Sequence, residues 1–172
     1  MALVLVIEDG TAKADANSYA SVANADAYHE AHLYATAWTG ASTPNKEKAL
    51  AMATRLIDGE FAFNGTRRTT TQALQGPREG CPDMDGGDVH ASNTVPKGVV
   101  VATCELAREL LVLDRTSAPP GEGISVQTNA DQSQIVYSKK DRRQILTAVV
   151  MSLLCRYGVL LKKAAMVRLE RA

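Results

Sequence analysis

The chain has 172 residues, of which 45% are hydrophobic and 22% charged. That composition excludes a wholly disordered chain, and an aromatic content of only 5% argues against a β-sandwich. The net charge of zero hides a division: residues 1–138 hold ten Lys/Arg against seventeen Asp/Glu, a balance of −7, and residues 139–172 hold nine against two, a balance of +7. Such a split predicts a basic tail that meets something anionic, whether the acidic body of a neighbouring copy, another protein or nucleic acid.

Residues 1–7 are apolar but have no basic flank and reach Glu8 and Asp9 at once, so they are not read as a signal peptide. Ser21 is an expected N-cap, with Asn24 three residues on, and opens an alanine-rich helix over residues 22–33. Thr43-Pro44 opens the next, over 46–58: Leu50, Ala53, Leu56 and Ile57 recur at helical spacing, and Gly59 is expected to end it. Residues 60–94 show no sustained period and read as a long loop carrying Arg67, Arg68 and Arg78. Val95-Pro96 starts the strongest helix, over 95–114, with two adjacent apolar stripes; it is the predicted central core helix. Val101 and Val112 fall on its polar side.

Pro119-Pro120-Gly121 reads as a linker. Ile124, Val126 and the run Ile135-Val136-Tyr137 predict a hairpin over 124–137, which needs a surface to lie on because two strands alone are marginal. Residues 141–172 are helical by composition. Between Ile145 and Leu161 the apolar side chains surround the helix axis, so this helix is expected to be buried on every side, between subunits or against another protein. Arg156 and Gly158 lie inside that run and argue against a membrane span.

Three cysteines at no motif spacing give no disulfide scaffold, and Cys104 and Cys155 read as small buried hydrophobes in a reducing compartment. The run from Cys81 to Asp88 superficially resembles a calcium loop, but Gly87 and Thr94 stand at ligand positions, so an Asp/Gly-rich turn is the expectation. Cys81 with His90 lacks the further ligands of a zinc site. His29 and His32 read as surface or interface histidines. No nucleophile elbow or paired carboxylates stand out, so no catalytic residue, cofactor or metal is expected. The basic residues could face phosphate, pair with a neighbouring subunit or stay solvated.

Several elements in order carry a resemblance: Glu8-Asp9-Gly10, Asn17-Ser18-Tyr19, Ala25-Asp26-Ala27-Tyr28, Trp38, Phe63-x-Gly65-x-Arg67-Arg68, Gln72-Ala73-Leu74, Pro77-Arg78 and Val95-Pro96. Over residues 8–138 this order resembles the head-to-tail connector (head-completion) adaptors of tailed bacteriophages, a group that includes proteins labelled DnaT-like single-stranded-DNA-binding. Insert 81–93 and the terminal segment are where the chain could depart from it. The resemblance implies a mainly α fold: a small helical bundle with a β-hairpin and a long C-terminal helix, divided into an adaptor domain at 1–138 and a docking extension at 139–172. It implies a ring of identical subunits, twelve in number, between the portal protein and a tail-side connector or stopper, in the virion neck. DNA would pass through the lumen without sequence specificity, and no membrane is involved. The expected portal-docking residues are Arg142, Arg143, Leu146, Val150, Leu153, Leu154, Tyr157, Leu161, Lys162 and Lys163. Arg67, Arg68 and Arg78 would line the DNA channel or subunit contacts. The alternative is a single-stranded-DNA-binding replication or primosome-like protein.

Overall fold

Ser21 caps the first helix, α1 (Val22–Glu30), through a complete capping box: its hydroxyl oxygen accepts from the Asn24 amide, and Asn24 reaches back to the Ser21 amide. The structure is a computed structural model that describes residues 3–82, 90–118, 122, 124–127, 135–137 and 143–161. A single turn, α2 (Thr36–Thr39), follows; its four residues are too few for a periodic signal, and the sequence gives no warning of it. The third helix, α3 (Thr43–Glu60), starts after Ser42 rather than at Lys46. Gly59 does not end it. The helix runs through Glu60 straight into β1 (Phe61–Phe63), because Phe61 turns extended and its ring is buried.

The expected loop 60–94 holds two further strands, β2 (Thr66–Arg67) and β3 (Arg78–Glu79), paired antiparallel. Strands of two or three residues are too short to alternate detectably. The central helix, α4 (Lys97–Val112), packs on α1, α2, α3 and the later α5, so the core-helix expectation holds. Its buried residues Val99, Ala102, Cys104, Leu106 and Ala107 meet Leu50, Ala53 and Ile57 of α3 in one apolar cluster. The hairpin is present as β4 (Ile124–Gln127) and β5 (Ile135–Tyr137), antiparallel with an irregularity between Ile124 and Val126.

The terminal segment requires a correction. Residues 143–161 do not form one long helix. Thr147 caps a short α5 (Ala148–Leu154), and the chain then turns through residues 155–157 into β6 (Gly158–Leu160), which pairs antiparallel with β1. Leu146, Val150, Leu154 and Tyr157 lie buried in the same cluster as α3 and α4. Their all-round apolar character is satisfied inside the subunit: half of it by helix packing, half by a strand whose alternating faces a helical wheel misplaces. Gly158 permits the strand pairing, since a Cβ there would lie 2.1 Å from the Ala62 carbonyl oxygen. Cys155 is exposed, in contrast to buried Cys104. Arg142, Lys162, Lys163, the hairpin turn and the aspartates of the 83–88 run lie outside the described residues.

The described part is thus mainly α, with two-stranded antiparallel sheets attached. Among the described residues no helix is long and apolar enough to cross a membrane.

Candidate functional site

The three arginines expected to act together are placed in different roles. Arg67 is exposed on β2, directly opposite Arg78 on β3. Arg78 turns inward. Its guanidinium donates to the carbonyls of Phe63 and Gly65, both at 2.9 Å, and to those of Asn64 and Gln75, both at 3.3 Å. Four carbonyls converge on one cation, so Arg78 fastens the strand-and-loop segment 63–78 instead of presenting charge. Arg68 is half-buried and donates to the Gly10 carbonyl, tying the same segment to the N-terminal turn.

That turn is built on a buried carboxylate. Glu8 accepts the amides of Gly10, Ala12 and Lys13 at 2.8, 2.9 and 2.9 Å. Gly10 has φ +100°, and a Cβ on it would stand 1.9 Å from the Asn93 carbonyl oxygen. Only glycine fits there. Nearby, the Tyr19 hydroxyl donates to Asp58 at 2.6 Å and accepts the Gly76 amide at 2.9 Å, while the other Asp58 oxygen accepts the Gln75 amide at 2.9 Å. Burial raises the Asp58 carboxyl above its usual range, against the pull of these donors, and burial also pushes the Tyr19 phenol up. Gln72 donates to the carbonyls of Leu74, Gln75 and Pro77. The residues that carry the sequence resemblance are therefore largely scaffold: they satisfy backbone groups of a long irregular segment.

A second polar cluster joins α1 to α4. His29 is 1% exposed, and its Nε2 lies 3.1 Å from the Cys104 carbonyl oxygen, while its Nδ1 is buried without a partner. Burial lowers its pKa below 6.5. This overturns the surface assignment of His29: alanines on α1 leave room for α4 to approach, and the ring fills the gap beside Trp38, at a centroid distance of 5.1 Å. Glu105, 3% exposed, pairs with Arg108, with His32 at 3.8 Å and with the Tyr28 hydroxyl at 3.4 Å. Trp38 donates to Asp26 at 2.7 Å, and Lys46 pairs with Asp26 at 2.8 Å. The Cys104 thiol is pushed up to about 12 by burial, leaving it an inert packing group. No spacing in the sequence marked this cluster, because its members are brought together from four helices.

An enclosed cavity of about 20 Å³ among Tyr19, Cys81, His90, Val99 and Tyr157 has room for about one water. Two open grooves are larger: one of about 750 Å³ along α3, beside Met52, Arg55, Asp58 and Leu74, and one of about 520 Å³ between α1 and α4, beside Ala27, Ala31, His32 and Val100. Among the described residues no group of His, Cys, Asp or Glu could hold a metal ion.

Of the ten residues expected to dock on a portal, Leu146, Val150, Leu154 and Tyr157 are buried in the core. Leu153 and Arg143 are half-buried and Leu161 is exposed. Large apolar side chains that do face solvent lie elsewhere as well: Leu33 (83% exposed) and Tyr34 (74%) between α1 and α2, Val112 (68%) at the end of α4, Val149 (51%) on α5 and Val159 (65%) on β6.

No curated protein and no solved structure matches the chain. One protein-family model does, over residues 3–172, so the terminal segment falls within the family's pattern and is not a departure from it. With all but two residues matched, the chain belongs to the family described as "Putative DnaT-like ssDNA binding protein".

Proposed function

We propose that this chain is a non-enzymatic structural subunit that assembles head-to-tail into the ring of a tailed-phage connector, between the portal and the tail-side protein. The observation that carries this reading is the distribution of exposed apolar side chains. Leu33 and Tyr34 sit at one corner, while Val112, Val149 and Val159 sit on three other elements. A closed ring uses two different surfaces of each subunit, so apolar groups on more than one face suit it. The ordered resemblance over residues 8–138 adds the connector setting and a ring of twelve. Portal contact falls to Leu161 and the basic residues beyond it, since Leu146, Val150, Leu154 and Tyr157 are occupied within the subunit.

The family's description favours a second reading, a single-stranded-DNA-binding protein of replication. Two placements count against it. Arg68 and Arg78 spend their donors on carbonyls, and among the described residues Tyr34 is the exposed aromatic, where base stacking wants a row of them. Light scattering and negative-stain microscopy of the purified chain, with and without portal, test the first reading. Rings are expected. A persistent monomer that binds oligonucleotides tightly at physiological salt would replace it with the second.

A further inference from the structure

We propose that the side chains of Leu33 and Tyr34 of one copy seat in the α3 groove of a second copy of this chain. The inference rests on the ring-subunit reading and names the contact that would build the ring.

Three observations carry it. The first is a knob held in shape. Leu33 and Tyr34 are consecutive and are the two most exposed large apolar side chains among the described residues. The turn that bears them is fixed on both sides. The His32 amide donates to the His29 carbonyl at 3.0 Å, and the Tyr34 amide donates to His32 Nδ1 at 3.1 Å. Ala35 is buried, and its carbonyl accepts the amides of Trp38 and Thr39, both at 2.9 Å. A knob already held in place loses little freedom when it docks.

The second is the chemistry of the groove. Its volume of about 750 Å³ has room for a leucine and an aromatic ring. Ala51 and Ala73 leave space, Leu74 supplies an apolar wall, and Met52 adapts to what it meets. The polar groups of the lining are spent within the subunit, with one exception. Asn17 donates to the Val4 carbonyl at 2.8 Å and accepts the Val6 amide at 2.9 Å. Asp58 gives its two oxygens to the Tyr19 hydroxyl and the Gln75 amide, and Arg67 and Arg78 offset its charge. The exception is Arg55, which is exposed and has no ion-pair partner among the described residues. The groove is thus matched to an apolar group that brings one anion.

The third is that the knob carries that anion. Glu30 ends α1, just before Leu33, and is likewise exposed with no ion-pair partner among the described residues. The other exposed apolar side chains lack such a companion. The carboxylates nearest Val112 in the chain are engaged, Glu109 with Arg115 and Asp114 with Thr116. Val149 has no acidic residue within five positions on either side, and Val159 lies between the cations Arg156 and Lys162. Charge therefore selects the Leu33–Tyr34 knob for a groove whose free group is Arg55. Knob and groove are different surfaces, so each subunit gives one and receives one, which is the condition for a closed ring.

The test compares the assembly of the full-length chain, followed by light scattering, with that of four variants: Leu33→Asp with Tyr34→Asp, Glu30→Arg, Arg55→Glu, and the last two combined. All four positions are exposed, and thermal unfolding checks that each variant still folds. The Leu33→Asp, Tyr34→Asp chain should lose about tenfold or more of its assembled fraction, as expected when a central apolar anchor is lost. Each single charge reversal should raise the concentration for half-assembly by about fivefold at low salt, and the combined reversal should return it to within about twofold of the wild type. Rings that form undiminished in the Leu33→Asp, Tyr34→Asp chain, single reversals without effect, or a combined reversal no better than the singles would overturn the contact while leaving the ring reading intact. A wild-type chain that forms no ring under any condition would overturn both.

Discussion

Arg78 and Arg67 face each other across the same strand pair but carry different loads. Arg78 holds four backbone carbonyls of a segment with little regular structure, so Arg78→Ala leaves acceptors unpaired and should cost about 2–4 kcal/mol. Arg67→Ala, at an exposed position, should stay within about 0.5 kcal/mol. Urea midpoints of the two variants measure the difference, and equal losses would remove Arg78 from the scaffold. His29 gives a pH dependence of definite sign. Its folded pKa lies below 6.5 because burial disfavours the charged ring and Nδ1 has no acceptor. The neutral ring costs nothing above pH 6.5, whereas below it the unfolded chain takes up a proton that the folded chain refuses. Stability should therefore fall as pH drops from 7 to 5, by at most about 1.4 kcal/mol per pH unit from this residue. The groups facing it are Tyr28 on α1, His32 just after it, and Glu105 and Arg108 on α4, so the readout is a comparison: His29→Phe should lose less stability over that range than the wild type. A variant with an unchanged pH slope would assign the acid sensitivity to those neighbours.

The elements divide at Lys140 in composition but not in packing. Truncation after Lys140 removes Leu146, Val150, Leu154 and Tyr157, all buried against α3 and α4, together with the strand that pairs with β1. Each lost apolar side chain leaves an unfilled space of the kind that costs about 2–5 kcal/mol. The truncated chain should therefore be unfolded, as circular dichroism would report; a soluble, cooperatively melting product would return α5 and β6 to the status of an appendage. Gly98→Ala probes the same contact gently, because the new Cβ would stand 2.6 Å from the Tyr157 ring and force it aside. A loss of about 1–3 kcal/mol is expected, visible as a lower melting temperature. These elements also show where sequence reading stops. Helices α3 and α4 were legible because long apolar periodicity and a proline at the start agree, and α1 because its Ser21 cap precedes an alanine-rich run. The hairpin was legible from two β-prone runs around a turn. The segment from Ile145 to Leu161 was misread as one helix because the exposed faces of α5 and β6 also carry apolar residues, Val149 and Val159, and leave no polar side to betray the change of period. The strands within 60–94 are two or three residues long. The roles of Arg68, Arg78 and His29 depend on carbonyls of distant segments, and a carbonyl has no sequence signature.

The whole molecule is neutral, yet its acidic and basic groups are sorted along the chain, −7 through residue 138 and +7 after it. Part of that positive charge is tied inside the subunit: Arg143 is half-buried at the hairpin root. The remainder lies at Lys139, Lys140, Arg142 and Arg156 and in the residues after Leu161, where Lys162, Lys163, Arg168 and Arg171 outnumber Glu170. A neutral chain with sorted charge attracts its own copies when acidic and basic parts meet. Salt screens that attraction over about 10 Å at 0.1 M and about 3 Å at 1 M. Self-association should therefore weaken as sodium chloride rises from about 0.05 to 0.5 M, most clearly in its rate of formation, since charge steers encounter more than it holds the product. A chain ended after Leu161 keeps every buried residue of the described core and should melt within a few degrees of the full length. It has lost a charge of +3, so its association should be slower and less sensitive to salt. Stopped-flow light scattering of both forms across that range separates the two contributions. If the shortened chain assembles as fast as the full one with the same salt slope, the terminal cations serve the portal or another partner and not the attraction between copies.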